Sequence, residues 1–142
     1  MSAALAGAER GVVAAMAMSG MRTVTMGLGF LPKSPPEEVA EEGMPGLLAL
    51  VPPNLRETAI ELAHWGFGAT AGALHSWLPD RLRRTWWAGP AYGLATQVGF
   101  EAVVAPVLGL RTPAERSAGE RVAVAADHVL FGLVVASRSQ RP

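Results

Sequence analysis

The stretch Glu61-Leu-Ala-His-Trp-Gly-Phe-Gly-Ala-Thr-Ala-Gly72 constrains this chain more than any other. At helical periodicity His64, Gly68 and Gly72 share one stripe, with Glu61 three residues before the histidine. A small-xxx-small stripe lets a neighbouring helix approach closely, and the ionisable pair sits at that approach. The pattern recurs once. His64-Trp-Gly-Phe-Gly68 is matched by His128-Val-Leu-Phe-Gly132.

Four long apolar segments surround these motifs. Gly11 to Leu31 holds one charge, Arg22, and is long enough to span about 30 Å of hydrocarbon before Pro32 stops it. Ser34-Pro35-Pro36-Glu37 then reads as a helix start, opening a short acidic helix (Glu37, Glu38, Glu41, Glu42) that should end near Gly43-Met-Pro45. Leu47 to Val51 is too short to span and is expected against the membrane or the bundle. Asn54-Leu-Arg-Glu57 reads as a second capping box, opening the segment Thr58 to Leu78.

The third segment runs from Trp86 to Leu110, with Glu101 inside it and Gly89 and Gly93 as its small-residue face. Pro90 falls in its first turn and Pro106 is placed to kink its end. Overlapping caps at Thr112 to Glu115 and Ser117 to Glu120 lead into a fourth helix, Ala118 to Ser137, with His128, Gly132 and Ala136 on one stripe. Between the second and third segments lies the most basic stretch, with Arg81, Arg83 and Arg84 flanked by Trp77, Trp86 and Trp87. Tryptophans at segment ends beside clustered arginines suit a membrane–water interface.

The expected fold is therefore all-α: a four-transmembrane-helix bundle in a single domain, with a short acidic helix in the first loop. Each half has an apolar span, a Ser/Thr-Pro-x-Glu cap, and a span carrying His-x-x-Phe-Gly, with 14 extra residues between cap and histidine in the first half. Two such hairpins of one direction imply a parallel repeat. Aligning the caps sets Arg22 opposite Phe100, one residue from Glu101, and so predicts an Arg22–Glu101 ion pair, with snorkelling or a pair to Glu61 or Asp127 as the alternative for Arg22.

Composition narrows the function classes. Half the residues are apolar and 17% are charged, below the ~25% usual for soluble domains. A net charge of zero gives no whole-chain attraction to nucleic acid, and the absence of cysteine excludes disulfides, thiolate metal sites and cysteine nucleophiles. A cleavable signal peptide over Arg10 to Gly20 is set aside, because the apolar run continues past Arg22 without a convincing cleavage site. A soluble helical bundle is the architectural alternative, since charges interrupt every span.

With an even number of spans, both termini share one side with the Arg81 loop. That side carries Arg10, Arg81, Arg83, Arg84, Arg138 and Arg141, against Lys33, Arg56, Arg111, Arg116 and Arg121 on the other. The excess and the compact Arg/Trp loop predict cytoplasmic termini in an inner (plasma) membrane. The expected partners are the lipid bilayer and, through the small-residue stripes, a second copy or another membrane protein.

Arg22, Glu61, His64, Glu101, Asp127 and His128 all fall within the expected spans. Charges there face the bundle interior and pair, so a structural polar cluster is the first reading. A proton or ion path along the same residues is the second. A third is haem, ligated by His64 and His128, with the glycines four residues on leaving room for the porphyrin. No nucleophile elbow, phosphate loop or metal-spaced set occurs, and neither Ser19 nor Ser76 has an evident base partner, so no enzyme, metal or cofactor is expected. His75 is expected at the interface beside Trp77, touching headgroups.

Gly11-Val-Val-Ala-Ala-Met-Ala-Met-Ser-Gly-Met, Ser34-Pro-Pro-Glu-Glu, Ala63-His-Trp-Gly-Phe-Gly-Ala-Thr-Ala-Gly-Ala-Leu and Ala126-Asp-His-Val-Leu-Phe-Gly-Leu-Val-Val resemble the YagU-like small bacterial inner-membrane proteins. The likeness covers Gly11 to Ser137 and implies a four-helix inner-membrane protein, with little about chemistry because that family is a domain of unknown function.

Overall fold

In a computed structural model, residues 2–137 are described. Arg138 and Arg141, which entered the topology argument, lie outside them. Helix α1 (Ala3–Gly27) is capped by the Ser2 hydroxyl, which accepts from the Leu5 amide. It starts earlier than expected, because the alanine-rich lead-in continues the helix through Glu9 and Arg10. It stops short of Pro32, at a turn where Gly29 adopts φ 80°.

The first loop holds α2 (Pro35–Glu38), a π-helical turn (Val39–Gly43) and α3 (Pro45–Ala49). The acidic helix ends where Gly43 and Pro45 mark its stop. Ser34 occupies the N-cap position without a side-chain bond to the helix. Helix α4 (Arg56–His75) follows a 3₁₀ turn (Pro53–Leu55). The expected Asn54 capping box does not form: the tandem prolines draw Asn54 into that turn, and Leu55 becomes the N-cap.

After the short α5 (Asp80–Arg83), α6 (Ala88–Gly99) runs through a π-helical turn (Phe100–Val104) into α7 (Ala105–Leu108). Pro106 has no N–H to donate, and the preceding Ala105 amide reaches back five residues to the Phe100 carbonyl. Both cap signals beyond it are realised, as Thr112 with Glu115 and Ser117 with Glu120 form reciprocal capping boxes. The Thr112 amide holds the Glu115 carboxyl below the usual carboxylate range. Helix α8 (Ala118–Ala136) then completes the described chain.

The described chain is all-helical. Four long helical runs stand where spans were expected, but among the described residues only Ala88–Leu108 is long and apolar enough to cross a membrane by length and composition. The other three (α1, α4, α8) carry three charged residues each and much alanine and glycine, which lowers their mean hydropathy.

Packing follows the glycine stripes. Helix α1 pairs with α4, α6 pairs with α8, and α1 packs on α8 to join the hairpins. A Cβ on Gly68 would lie 2.7 Å from the Gly11 carbonyl oxygen and 2.6 Å from the Ala15 Cβ. A Cβ on Gly89 would lie 2.8 Å from the Gly132 carbonyl oxygen. Under the repeat alignment Gly11 corresponds to Gly89 and Gly68 to Gly132, so the same backbone approach occurs in both hairpins.

The Gly93 face is tighter still, since its Cβ position is taken by the His128 carbonyl. Backbone cannot yield as a side chain can, so Gly93→Ala should cost about 1–3 kcal/mol or more. Gly66→Ala and Gly99→Ala, where a Cβ meets nothing within 4 Å, should be neutral or gain up to about 1 kcal/mol. Thermal unfolding of the three variants checks this. Equal behaviour at Gly93 and Gly99 would contradict the packing.

The interior combines small residues, a few large apolar side chains and charges. Ala14, Ala15, Met18, Ala71, Phe131 and Val135 are buried, and so are Arg22, Glu38, Glu120 and Asp127. Many large apolar side chains point outward instead, among them Val13, Val24, Leu62, Val98, Val107 and Val122.

Candidate functional site

The polar seam of the bundle lies between α1 and α4. Ser19 and Arg22 are three residues apart on α1, hence on one face, and that face meets Glu61 and His64, likewise three apart on α4. Arg22 Nη2 donates to Glu61 Oε1 at 2.8 Å and to Ser19 Oγ at 3.0 Å. The Ser19 hydroxyl reaches Glu61 Oε2 at 2.7 Å, and Arg22 Nη1 lies 3.4 Å from His64 Nε2. A guanidinium can only donate, so in that contact His64 Nε2 is the acceptor and its proton sits on Nδ1.

This arrangement corrects the expected Arg22–Glu101 pair. Arg22 is 4% exposed and its carboxylate partner is Glu61, while Glu101 accepts from Gln97 Nε2 at 3.0 Å within its own helical run. The repeat alignment set the two charges at similar depth but said nothing about rotation. Arg22 turns toward α4, and Glu101 belongs to the second hairpin, within electrostatic reach of His128.

The second hairpin contributes Asp127, buried and within electrostatic reach of Arg22. Its Oδ1 has no hydrogen-bond partner among the described residues. His128 spends its Nδ1 on the Val124 carbonyl at 2.9 Å, one turn back. Of the six residues singled out by sequence, the structure therefore joins Arg22, Glu61 and His64 directly. Asp127 and His128 flank them, within electrostatic reach of Arg22 and His64 respectively, and Glu101 is paired elsewhere with Gln97.

Haem does not fit this geometry. The Arg22 guanidinium occupies His64 Nε2, and the space at Gly68 and Gly132 is filled by the backbones of α1 and α6. Among the described residues no group of three His, Cys, Asp or Glu side chains is placed to hold a metal ion.

A second charged network was missed by sequence reasoning. Glu38, 2% exposed, receives Arg116 Nη2 at 3.1 Å and Arg111 Nε at 3.3 Å, and Arg111 also reaches Glu120 at 3.4 Å. Hydrogen bonding to Glu38 holds the Arg111 guanidinium above its ordinary value. Glu38 and Arg116 are equivalent positions of the repeat, each four residues after its Ser/Thr cap. The two halves thus pair through their own counterparts, and the opposite signs at aligned positions were the available signal. Lys33 is satisfied separately by Glu41 and Glu42.

At the other end of the bundle Trp77, Trp86 and Trp87 are exposed, as is Arg81, while Arg83 pairs with Asp80. No protein-family model, no curated protein and no solved structure matches this chain.

Proposed function

We propose that the chain is a small multi-pass inner-membrane protein, a non-catalytic accessory or assembly component built as two repeated hairpins. The observation that carries this reading is the inverted distribution of polarity. Much alanine and glycine and several buried charges share the interior with a few large apolar side chains, while many valines and leucines and three of the four tryptophans lie exposed on the outside. Water gives such a surface no reason to exist, whereas a bilayer does. The exposed tryptophans beside the arginine loop suit the headgroup level of a membrane with cytoplasmic termini. The resemblance to the YagU-like proteins agrees with this architecture. Lipid is then the first partner, and a second copy or another membrane protein the next.

Alkaline carbonate washing of membranes tests the proposal. The protein should stay in the pellet, and release into the supernatant would replace the proposal with a soluble bundle.

The orphan Oδ1 of Asp127 favours one second reading, in which the seam accepts and passes a proton. Proteoliposomes holding a pH-sensitive dye separate the two. Dissipation of an imposed gradient that is lost in Asp127→Asn supports proton coupling, and a maintained gradient supports the accessory role.

A further inference from the structure

The geometry points to an anion site for a phosphate group at the tryptophan-bearing end of the bundle, formed by Arg10, His75, Arg83 and Arg84. A cavity of about 410 Å³ opens there, lined by these four residues together with Asp80 and the C-terminal end of α8 from Val135 to Ser137. Three guanidinium groups face one carboxylate, so the cavity carries an excess of positive charge. That carboxylate, Asp80, is already paired with Arg83. Arg10 is steered toward the cavity by its Nε, which donates to the Val135 carbonyl at 3.2 Å.

The independent observation is His75. It is 3% exposed, lines the cavity, and neither ring nitrogen has a hydrogen-bond partner among the described residues. Its ring is held edge-on against Tyr92, with centroids 4.8 Å apart, so it is positioned rather than loose. A buried imidazole without partners is costly unless a ligand or water supplies them. Arg83 Nε is a further buried donor without an acceptor among the described residues. An imidazole N–H, a guanidinium N–H and two more arginine forks ask for a compact oxyanion with several acceptor oxygens. Phosphate meets that demand, as a free ion or as the headgroup phosphodiester of a lipid. The site's chemistry is independent of the membrane proposal; only the lipid source of the phosphate rests on it.

The test uses the full chain purified in mild detergent, with two probes. Inorganic phosphate is titrated calorimetrically against chloride at matched ionic strength. Phosphatidylglycerol and phosphatidylcholine are added separately, and retention is read by native mass spectrometry. The wild type should bind one phosphate-bearing ligand, with Arg84→Gln and Arg83→Gln weakening it about tenfold each, the size of one charged hydrogen bond. Arg81→Gln lies in the same loop but outside the cavity lining, and should leave binding unchanged.

Binding of the free ion without lipid retention assigns the site to soluble phosphate. Retention of lipid assigns it to a headgroup. Binding of neither probe, or equal weakening by Arg81→Gln, overturns the proposal. The Arg84 side chain makes no hydrogen bond or ion pair within the described residues, its backbone amide alone donating to the Asp80 carbonyl, so its variant should fold and keep the test decisive.

Discussion

Replacing Glu61 with leucine should destabilise the protein by about 3–5 kcal/mol, because it strands Arg22 as a buried guanidinium without its carboxylate. Arg22 is 4% exposed and Glu61 32% exposed, so the two single substitutions should differ. Arg22→Leu leaves behind the more accessible partner and should cost less. The double substitution should recover much of the loss, since an apolar pair removes both desolvation penalties. Glu101→Leu behaves differently: bonded to Gln97 rather than Arg22, it should combine additively with Arg22→Leu, within about 0.5 kcal/mol. Thermal unfolding in detergent reads all five variants against the wild type. Recovery in the Arg22/Glu101 double variant, and none in the Arg22/Glu61 double variant, would contradict the seam.

Glu38→Leu should have a similarly large effect, about 3–5 kcal/mol, in the loop that joins α1 to α4. It removes the carboxylate shared by Arg111 and Arg116 and leaves two cations facing each other, with Glu120 as the remaining counter-charge. The two arginines are unequal. Arg116 is 14% exposed and Arg111 39% exposed, so Arg116→Leu should cost several times more than Arg111→Leu, whose solvent-screened pair is worth about 1 kcal/mol or less. The same network ties the first loop to the cap of the last helix. Glu38→Leu should therefore also raise hydrogen exchange across residues 34–44, and unchanged exchange there would count against the network.

Much of the architecture was legible because it depends on period and punctuation. Gly68, Gly72, Gly89, Gly93 and Gly132 announced the close helix approaches by their spacing alone. The two His-x-x-Phe-Gly segments and the two caps announced the repeat, whose equivalent glycines make equivalent contacts. Helix ends at Pro45 and Ser117 followed from cap chemistry. What failed was rotation and local competition. Aligning the halves gave the depth of Arg22 and Glu101 but not the azimuth of either helix, and a helix turned by one residue faces another neighbour.

Ser19 looked isolated in sequence because its partner Glu61 lies 42 residues away. Glu38 was read only as one of the four glutamates of a short acidic helix, since nothing in a run of acids shows which one turns inward. Asn54 looked like a cap until two preceding prolines pulled it into a 3₁₀ turn. The haem reading took glycines for empty space, and in the fold that space holds a neighbouring backbone.

The central claim is that the large apolar side chains face lipid while the charges face inward, and a chain without cysteine allows it to be tested position by position. Single cysteines at Val13, Val98 and Val122, all exposed, and at Ala14 and Ala123, both buried, would be spin-labelled in lipid vesicles. Labels at the three valines should relax strongly with oxygen and weakly with a water-soluble nickel complex, and labels at the two alanines weakly with both. Strong relaxation by the nickel complex at Val13, Val98 and Val122 would place that surface in water and contradict the account.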